Sequence, residues 1–162
     1  DFYLNFKNID VKIKVVPLKT CAYIRLKGYD LEGLSKTWER LLAFAYEKDI
    51  LNNTQIGLYH DNPVITDYKD CNYVAAIEVN DDFEATNSIS KLEVIESLYA
   101  IFSYEGVYGD VARLMTYIYH YWMPKSGYEA KTLPSYAIYH QNHYLEENDS
   151  FKLDFYVPIR VV

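Results

Sequence analysis

The run Gly57-Leu-Tyr-His60 returns eighty residues later as Ala137-Ile-Tyr-His140. Ala75-Ala-Ile77 falls on Phe155-Tyr-Val157 with the same shift of 80. Gly28 falls on Gly106, a shift of 78, and Leu34, Trp38 and Leu41 fall on Val111, Met115 and Ile118, a shift of 77. Small slips in the connections account for the changing shift. The chain therefore repeats one unit, strand–helix–strand–strand, over about 10–80 and 91–160, and this repetition limits its folds more than any other feature. Each unit has one helix whose apolar stripe must be buried. Two such units do so by sharing one mostly antiparallel sheet, with both helices on one face and a cleft near the pseudo-twofold axis. The expected class is α+β, in one domain over 1–162, a length that suits a single sizeable core.

The first unit is led by a strand over 9–16, broken by Pro17, and opens with the strand-like run Cys21–Gly28. A helix over Leu31–Tyr46 places Leu31, Leu34, Trp38, Leu41, Leu42 and Ala45 on one face. Strands follow at Thr54–His60 and Tyr73–Val79, with a turn at Asp61-Asn62-Pro63 between them. In the second unit strand residues run through Leu92–Glu105 to Gly106. The next helix carries Val111, Leu114, Met115, Ile118, Tyr121 and Trp122 on one face. Asp110 is its expected N-cap, Pro124 ends it near Trp122 or Met123, and Gly127 lets the chain turn back. Ser135–His140 and Phe151–Ile159 are the closing strands, joined by a polar loop holding Glu146, Glu147 and Asp149.

Alternation along the strands suggests where a ligand could sit. Leu58 and Ile138 are apolar and are expected to face the helices. Gly57 and Tyr59, with Ala137 and Tyr139, then face away, and Ala76, Glu78, Asp154 and Tyr156 share that side. Small residues at Gly57, Ala76 and Ala137, flanked by Tyr59, Tyr139 and Tyr156, describe a hollow with aromatic walls at the junction of the units. The bland alternative is that the small residues only ease sheet twist. Eighteen tyrosines supply flat apolar bodies with polar tips, which suit such a wall or an ordinary core rim.

A net charge of −7 repels phosphate, and no basic patch is evident, so the chain alone should not grip nucleic acid. The same acidity favours the approach of cationic over anionic ligands. No apolar run can span a bilayer and no signal peptide is present. The chain begins at Asp1 rather than at methionine, so a further segment is expected upstream. Cys21 and Cys71 lie in strand-like runs and are expected as buried thiols of a cytoplasmic protein. His60 and His140 occupy equivalent strand ends without the close spacing of metal ligands. Ser–His–Asp order, a phosphate-cradling glycine loop and Cys-x-x-Cys are all missing. No metal or cofactor is therefore expected.

Several pieces, in this order and spacing, resemble the GyrI-like fold, the effector-binding domain of AraC-type bacterial transcription activators. They are Ala22-Tyr-Ile-Arg25 leading to Gly28, Gly57-Leu-Tyr-His-Asp-Asn-Pro63, Cys71-Asn-Tyr73, Tyr104-Glu-Gly106 with Tyr108, and Trp122-Met-Pro-Lys-Ser-Gly-Tyr128. Pro134 with Tyr139, and Asp154-Phe-Tyr-Val-Pro-Ile159, complete the set.

The resemblance implies a central cleft for lipophilic, often cationic, compounds, with a multidrug habit in some relatives. It implies contact with DNA only through a helix-turn-helix region outside this chain; no membrane partner is expected, since no apolar run is long enough to span a bilayer. It also places Trp122 as a stacking surface, although a helix–sheet core role fits equally, and Tyr104 at the cleft border. Stand-alone relatives that bind DNA gyrase or sequester drugs, and relatives that resemble hydrolases, supply the alternative roles. The family's glutamate stands two residues before the tyrosine matching Tyr139, where this chain has Ala137. That departure removes the usual counter-charge and the acid/base group, so a non-enzymatic domain is expected. Glu78 and Glu105 are the nearest substitute carboxylates. The expected ligand-binding set is Gly57, Tyr59, Ala76, Glu78, Tyr104, Trp122, Ala137, Tyr139 and Tyr156. A small-molecule effector is the expected partner, and homodimerisation stays open.

Overall fold

The computed structural model describes residues 6–61 and 66–162. The strands are β1 (Asp10–Val16), β2 (Lys19–Lys27), β3 (Gln55–Tyr59), β4 (Asn72–Val79), β5 (Ser90–Val94), β6 (Ser97–Val107), β7 (Tyr128–Ala130), β8 (Ser135–Gln141) and β9 (Ser150–Val161). They form one antiparallel sheet in the order β1-β6-β9-β8-β3-β4-β2-β5, with β7 added to β9. The helices are α1 (Leu31–Glu47), α2 (Asp110–Tyr117) and the short α3 (Met123–Ser126).

The duplication is written into the register. Arg25 of β2 pairs with Val74 of β4. The residues 78 and 80 places further on, Ser103 and Asp154, pair likewise in β6 and β9. The units meet where β3 pairs with β8, and there Gly57 lies opposite Ala137, its own repeat mate. That pair marks the pseudo-twofold axis.

The lead-in strands make the sheet curl. Only Pro17 and Leu18 separate β1 from β2, and only Ile95 and Glu96 separate β5 from β6. Yet β1 sits at one end of the strand order and β2 near the other. A link this short reaches about 11 Å at most. Val16 pairs with Ser97 and Lys19 with Val94, so the starts of β2 and β6 are drawn together. Both faces of the sheet are buried as a result. One core holds Leu34, Trp38 and Leu41 of α1 together with Val111, Leu114 and Ile118, so both helices lie on the same face. A second core on the other face gathers Cys21, Ile56, Val74, Tyr99, Tyr136 and Tyr156.

This curl reverses the expected orientation of the central strands. Leu58 and Ile138 belong to the face away from the helices. Tyr59, Ala137 and Tyr139 belong to the helix side. Alternation separates the two sets of side chains but does not say which set meets the helices when both faces are apolar. The tyrosines tolerate the helix side because their hydroxyls find partners there.

Asp30 caps α1, its carboxylate accepting from the Gly33 amide at 2.8 Å. The second helix departs from expectation at both ends. Its N-cap is Gly109, with φ 99°, and Asp110 is the first helical residue. The Asp110 carboxylate instead accepts from the Val107 amide at 3.0 Å. The helix also continues past Trp122, through a π turn over Ile118–Trp122 into α3, ending at Gly127 with φ 81°. Pro124 is tolerated because it falls in the first turn of α3, after the wider π turn has already broken the regular ladder. The expected turn at Asp61-Asn62-Pro63 extends outside the described residues. Cys21 and Cys71 are free thiols and both are buried.

Candidate functional site

The helices leave a gap between their starts. Tyr29 and Tyr108 each precede a helix, and the Tyr108 hydroxyl donates to the Tyr29 carbonyl at 2.9 Å, bridging the two units. The Tyr29 hydroxyl donates to the Asp61 carbonyl at 3.0 Å. Behind this bridge lies a cavity of about 30 Å³, lined by Tyr29, Tyr59, Tyr108, Val111, His143 and Tyr144 among others. His143 and Tyr144 come from the β8–β9 loop. Asn142 anchors that loop, donating from Nδ2 to Gln55 Oε1 at 3.1 Å and accepting the Tyr144 amide at 3.1 Å.

Below the cavity the polar tips of the core are chained together. Trp38 Nε1 donates to the Tyr73 hydroxyl at 3.0 Å, Tyr73 meets the Tyr139 hydroxyl at 2.9 Å, and Tyr139 meets Tyr59 at 2.9 Å. Gly57 makes room for this chain, because a Cβ there would lie 2.7 Å from the Tyr139 hydroxyl. Burial pushes Tyr59, Tyr73, Tyr139 and Tyr144 well above the ordinary phenol range, so all stay neutral. Burial also pulls His143 down to about 4. Among the described residues no lysine, arginine or carboxylate lines the cavity. Its walls are aromatic and uncharged at neutral pH, suited to a planar apolar body.

The expected site residues divide into three places. Tyr59 is in the cavity wall, with Tyr139, Gly57 and Ala137 beneath it at the axis. Ala76 and Tyr156 lie across the sheet in the second core, where Tyr156 stacks on Tyr136 at 4.6 Å. Glu78 shares that face and pairs in register with Cys21, whose thiol is pushed up to about 12 by burial and then by the Glu78 charge. Trp122 and Tyr104 stand on the helix side but off the cavity. Trp122 packs edge-on against Phe102 at 5.0 Å and parallel to Tyr128, while Tyr104 contacts Phe6 at 5.1 Å and Phe151 at 6.1 Å. The single hollow expected from small residues and tyrosines is thus two half-sets on opposite faces.

The cavity-lining residues Tyr29, Tyr108, His143 and Tyr144 are not among the expected site residues. The available signals were aromatic residues just ahead of each helix, and His143-Tyr144 at the head of an otherwise polar loop. Glu105 is exposed and ion-pairs with Lys152 at 3.6 Å, away from the cavity. His140 Nε2 lies 2.9 Å from Asp154, which also accepts from the Ser103 hydroxyl at 2.7 Å. The aspartate stands between serine and imidazole, so the imidazole cannot take the serine proton as a nucleophilic triad requires. No cluster of three metal-ligating side chains occurs among the described residues.

A duplicated α+β sheet with an aromatic cavity between its units defines the class: a small-molecule-binding domain. The profile of the family described as "GyrI-like small molecule binding domain" matches residues 9–160, and the chain belongs to this family. Among curated protein sequences none matches the chain. Solved structures share the fold at low identity. The EcmrR C-terminal domain superposes with a TM-score of 0.72 at 14% identity, covering 96% of this chain and 99% of that one. The chain spans 63% of the EcmrR chain in an EcmrR–DNA complex. A hydrolase from Listeria innocua gives 0.70 at 14% identity, covering 96% and 95%. SAV2435, bound to tetraphenylphosphonium, gives 0.60 at 12%, covering 93% and 94%. No helix among the described residues is long and apolar enough to cross a membrane.

Proposed function

We propose that this chain is the effector-binding domain of a bacterial transcription regulator, of AraC type, working in the cytoplasm. Its effector is a planar lipophilic compound, neutral or weakly cationic, taken into the cleft between the units. The observation that carries this reading is the uncharged cavity walled by Tyr29, Tyr59, Tyr108 and Tyr144 at the junction of the repeats. EcmrR in its complex with DNA and SAV2435 with bound tetraphenylphosphonium are consistent with it. With Ala137 at the axis the cleft lacks the glutamate that the family resemblance assigns as counter-charge and acid/base group, and on this reading the domain binds without turning its ligand over.

The cavity holds about 30 Å³, whereas sites for drug-sized molecules are roughly 300–1,000 Å³. The closed form must therefore open, and the Tyr108–Tyr29 bridge is the contact that has to part. A ligand that binds only the open form shifts the population toward it, and an attached DNA-binding region can read that shift.

A panel of planar aromatics tested by thermal shift decides the matter. A binder at about 100 times its Kd should add roughly 2.7 kcal/mol of stability. If no compound in a broad neutral and cationic panel raises Tm or alters tryptophan emission, the effector-binding reading fails.

A further inference from the structure

Inside the aromatic wall sits one polar ring whose nitrogen is unused. His143 is only 1% exposed. Its Nδ1 is buried and has no hydrogen-bond partner among the described residues. The rings of Tyr144 at 3.9 Å, Phe151 at 5.0 Å, Tyr139 at 5.9 Å and Tyr108 at 6.1 Å surround it. No carboxylate is among these neighbours to stabilise a proton, so the ring is neutral at pH 7. A neutral imidazole carries one N–H and one lone pair. Burying an unmet N–H is rarer than burying an unmet acceptor, so Nδ1 is assigned the lone pair. A buried acceptor that no protein group meets disfavours the closed form, and a donor that enters the cleft can use it.

We propose that His143 is the specificity contact of the cleft: when the cleft opens, Nδ1 accepts a hydrogen bond from a neutral aromatic ligand that carries an O–H or N–H donor, such as a phenol or an indole. This rests on the reading of the cleft as an effector site and narrows its ligand class. The aromatic walls supply apolar contact for any flat ring. Among the described residues that line the cavity, His143 alone combines full burial with an unpartnered acceptor. Analogues in which the donor is methylated would fill the same space and leave Nδ1 unmet, the kind of mismatch that discriminates strongly in a buried site.

The test uses 2-naphthol and 2-methoxynaphthalene at pH 7, where both are neutral. Titration of the native protein should show 2-naphthol binding about tenfold tighter or more. His143→Phe should remove that difference, whereas His143→Gln, whose side-chain carbonyl can accept, should keep part of it. On ¹⁵N-labelled native protein, 2-naphthol should shift the His143 Nδ1 resonance and the ether should not, a readout that needs no variant. Equal affinity of the native protein for both probes overturns the proposal, as does a difference that persists in His143→Phe. If neither probe binds but tetraphenylphosphonium does, the His143 proposal fails and the effector cleft stands. If none of the three binds, both fall.

Discussion

Tyr59 and Tyr139, repeat mates eighty residues apart, share a hydrogen bond between their hydroxyls at 2.9 Å. A twofold axis brings equivalent groups together, and here it brings two polar tips into the helix-side core. They are tolerated because Tyr73 and Trp38 Nε1 extend the chain of partners. A satisfied buried network stiffens the floor of the cleft. The wall above it is built by Tyr29, Tyr108 and the β8–β9 loop.

The floor depends on a missing side chain. A Cβ at Gly57 would crowd both the Tyr73 and Tyr139 hydroxyls and lie 2.9 Å from Tyr139 Cε2. Gly57→Ala should destabilise the fold by ~1–3 kcal/mol through overpacking and broken hydroxyl contacts. Urea unfolding measures this, and a variant within ~0.5 kcal/mol of native stability would show that the floor can rearrange freely.

Much of the fold was legible because the repeat left two copies of each signal. The helix stripe Leu34–Trp38–Leu41 and the strand Tyr73–Val79 each had a mate, and the register keeps the shifts of 78 and 80. The orientation of Tyr59 and Tyr139 was not legible, because the curl buries Leu58 and Tyr59 alike. Alternation names two faces only relative to each other. The cavity residues were harder still. Tyr29, Tyr108 and His143 are brought together by connections, whose geometry depends on the packed units rather than on local periodicity.

Trp38 and Trp122 now separate as reporters. Trp38 is fully buried and bonded into the tyrosine chain under the cavity, while Trp122 packs on Phe102 and Tyr128 away from it. A ligand in the cleft should therefore quench Trp38. Trp122→Phe should retain most of the ligand-induced change in emission, and Trp38→Phe should lose it. The reverse pattern would move the site toward the end of the second helix.

Acid should weaken the protein through His143. Burial holds its folded pKa near 4, below the ordinary imidazole value of 6.5, so between those values the unfolded chain binds the proton and the folded one does not. Stability from this group is complete above about 6.5 and is lost as pH falls toward 4, by roughly 3 kcal/mol in all. His143→Phe should flatten that part of the stability profile. Parallel native and variant profiles from pH 7 to 4 would show that the imidazole is hydrated.

Tyr108→Phe should loosen the mouth. It removes the donor to the Tyr29 carbonyl and leaves the ring to pack. The closed form should lose about 1 kcal/mol, raising the open fraction and tightening apparent ligand binding about fivefold. Thermal stability without ligand should fall slightly. Weaker binding in Tyr108→Phe would mean that the hydroxyl contacts the ligand rather than holds the gate.

Ala137 offers the sharpest test of ligand charge. It is fully buried and pairs with Gly57 and Phe155 on the axis. A glutamate there must enter the tyrosine cluster without water, so its carboxyl pKa should rise above the ordinary range. A raised acid pKa means that the folded state binds the proton more readily, so stability falls as pH rises above about 4.3. Ala137→Glu should accordingly lose ~2–4 kcal/mol at pH 7 and less at pH 4.5. A cation in the cleft restores what hydration no longer supplies, through a charge-assisted contact of ~1.5–3 kcal/mol. The variant should then prefer a cationic dye over its neutral analogue, roughly tenfold for each 1.4 kcal/mol gained, while the native domain shows little preference. If the native domain already prefers the cation strongly, another carboxylate reaches the ligand. Glu78 cannot be that group without a rearrangement, because it stands across the sheet in register with Cys21. Glu78→Gln should therefore leave the charge preference unchanged, and a lost preference would mean that the ligand occupies the opposite face.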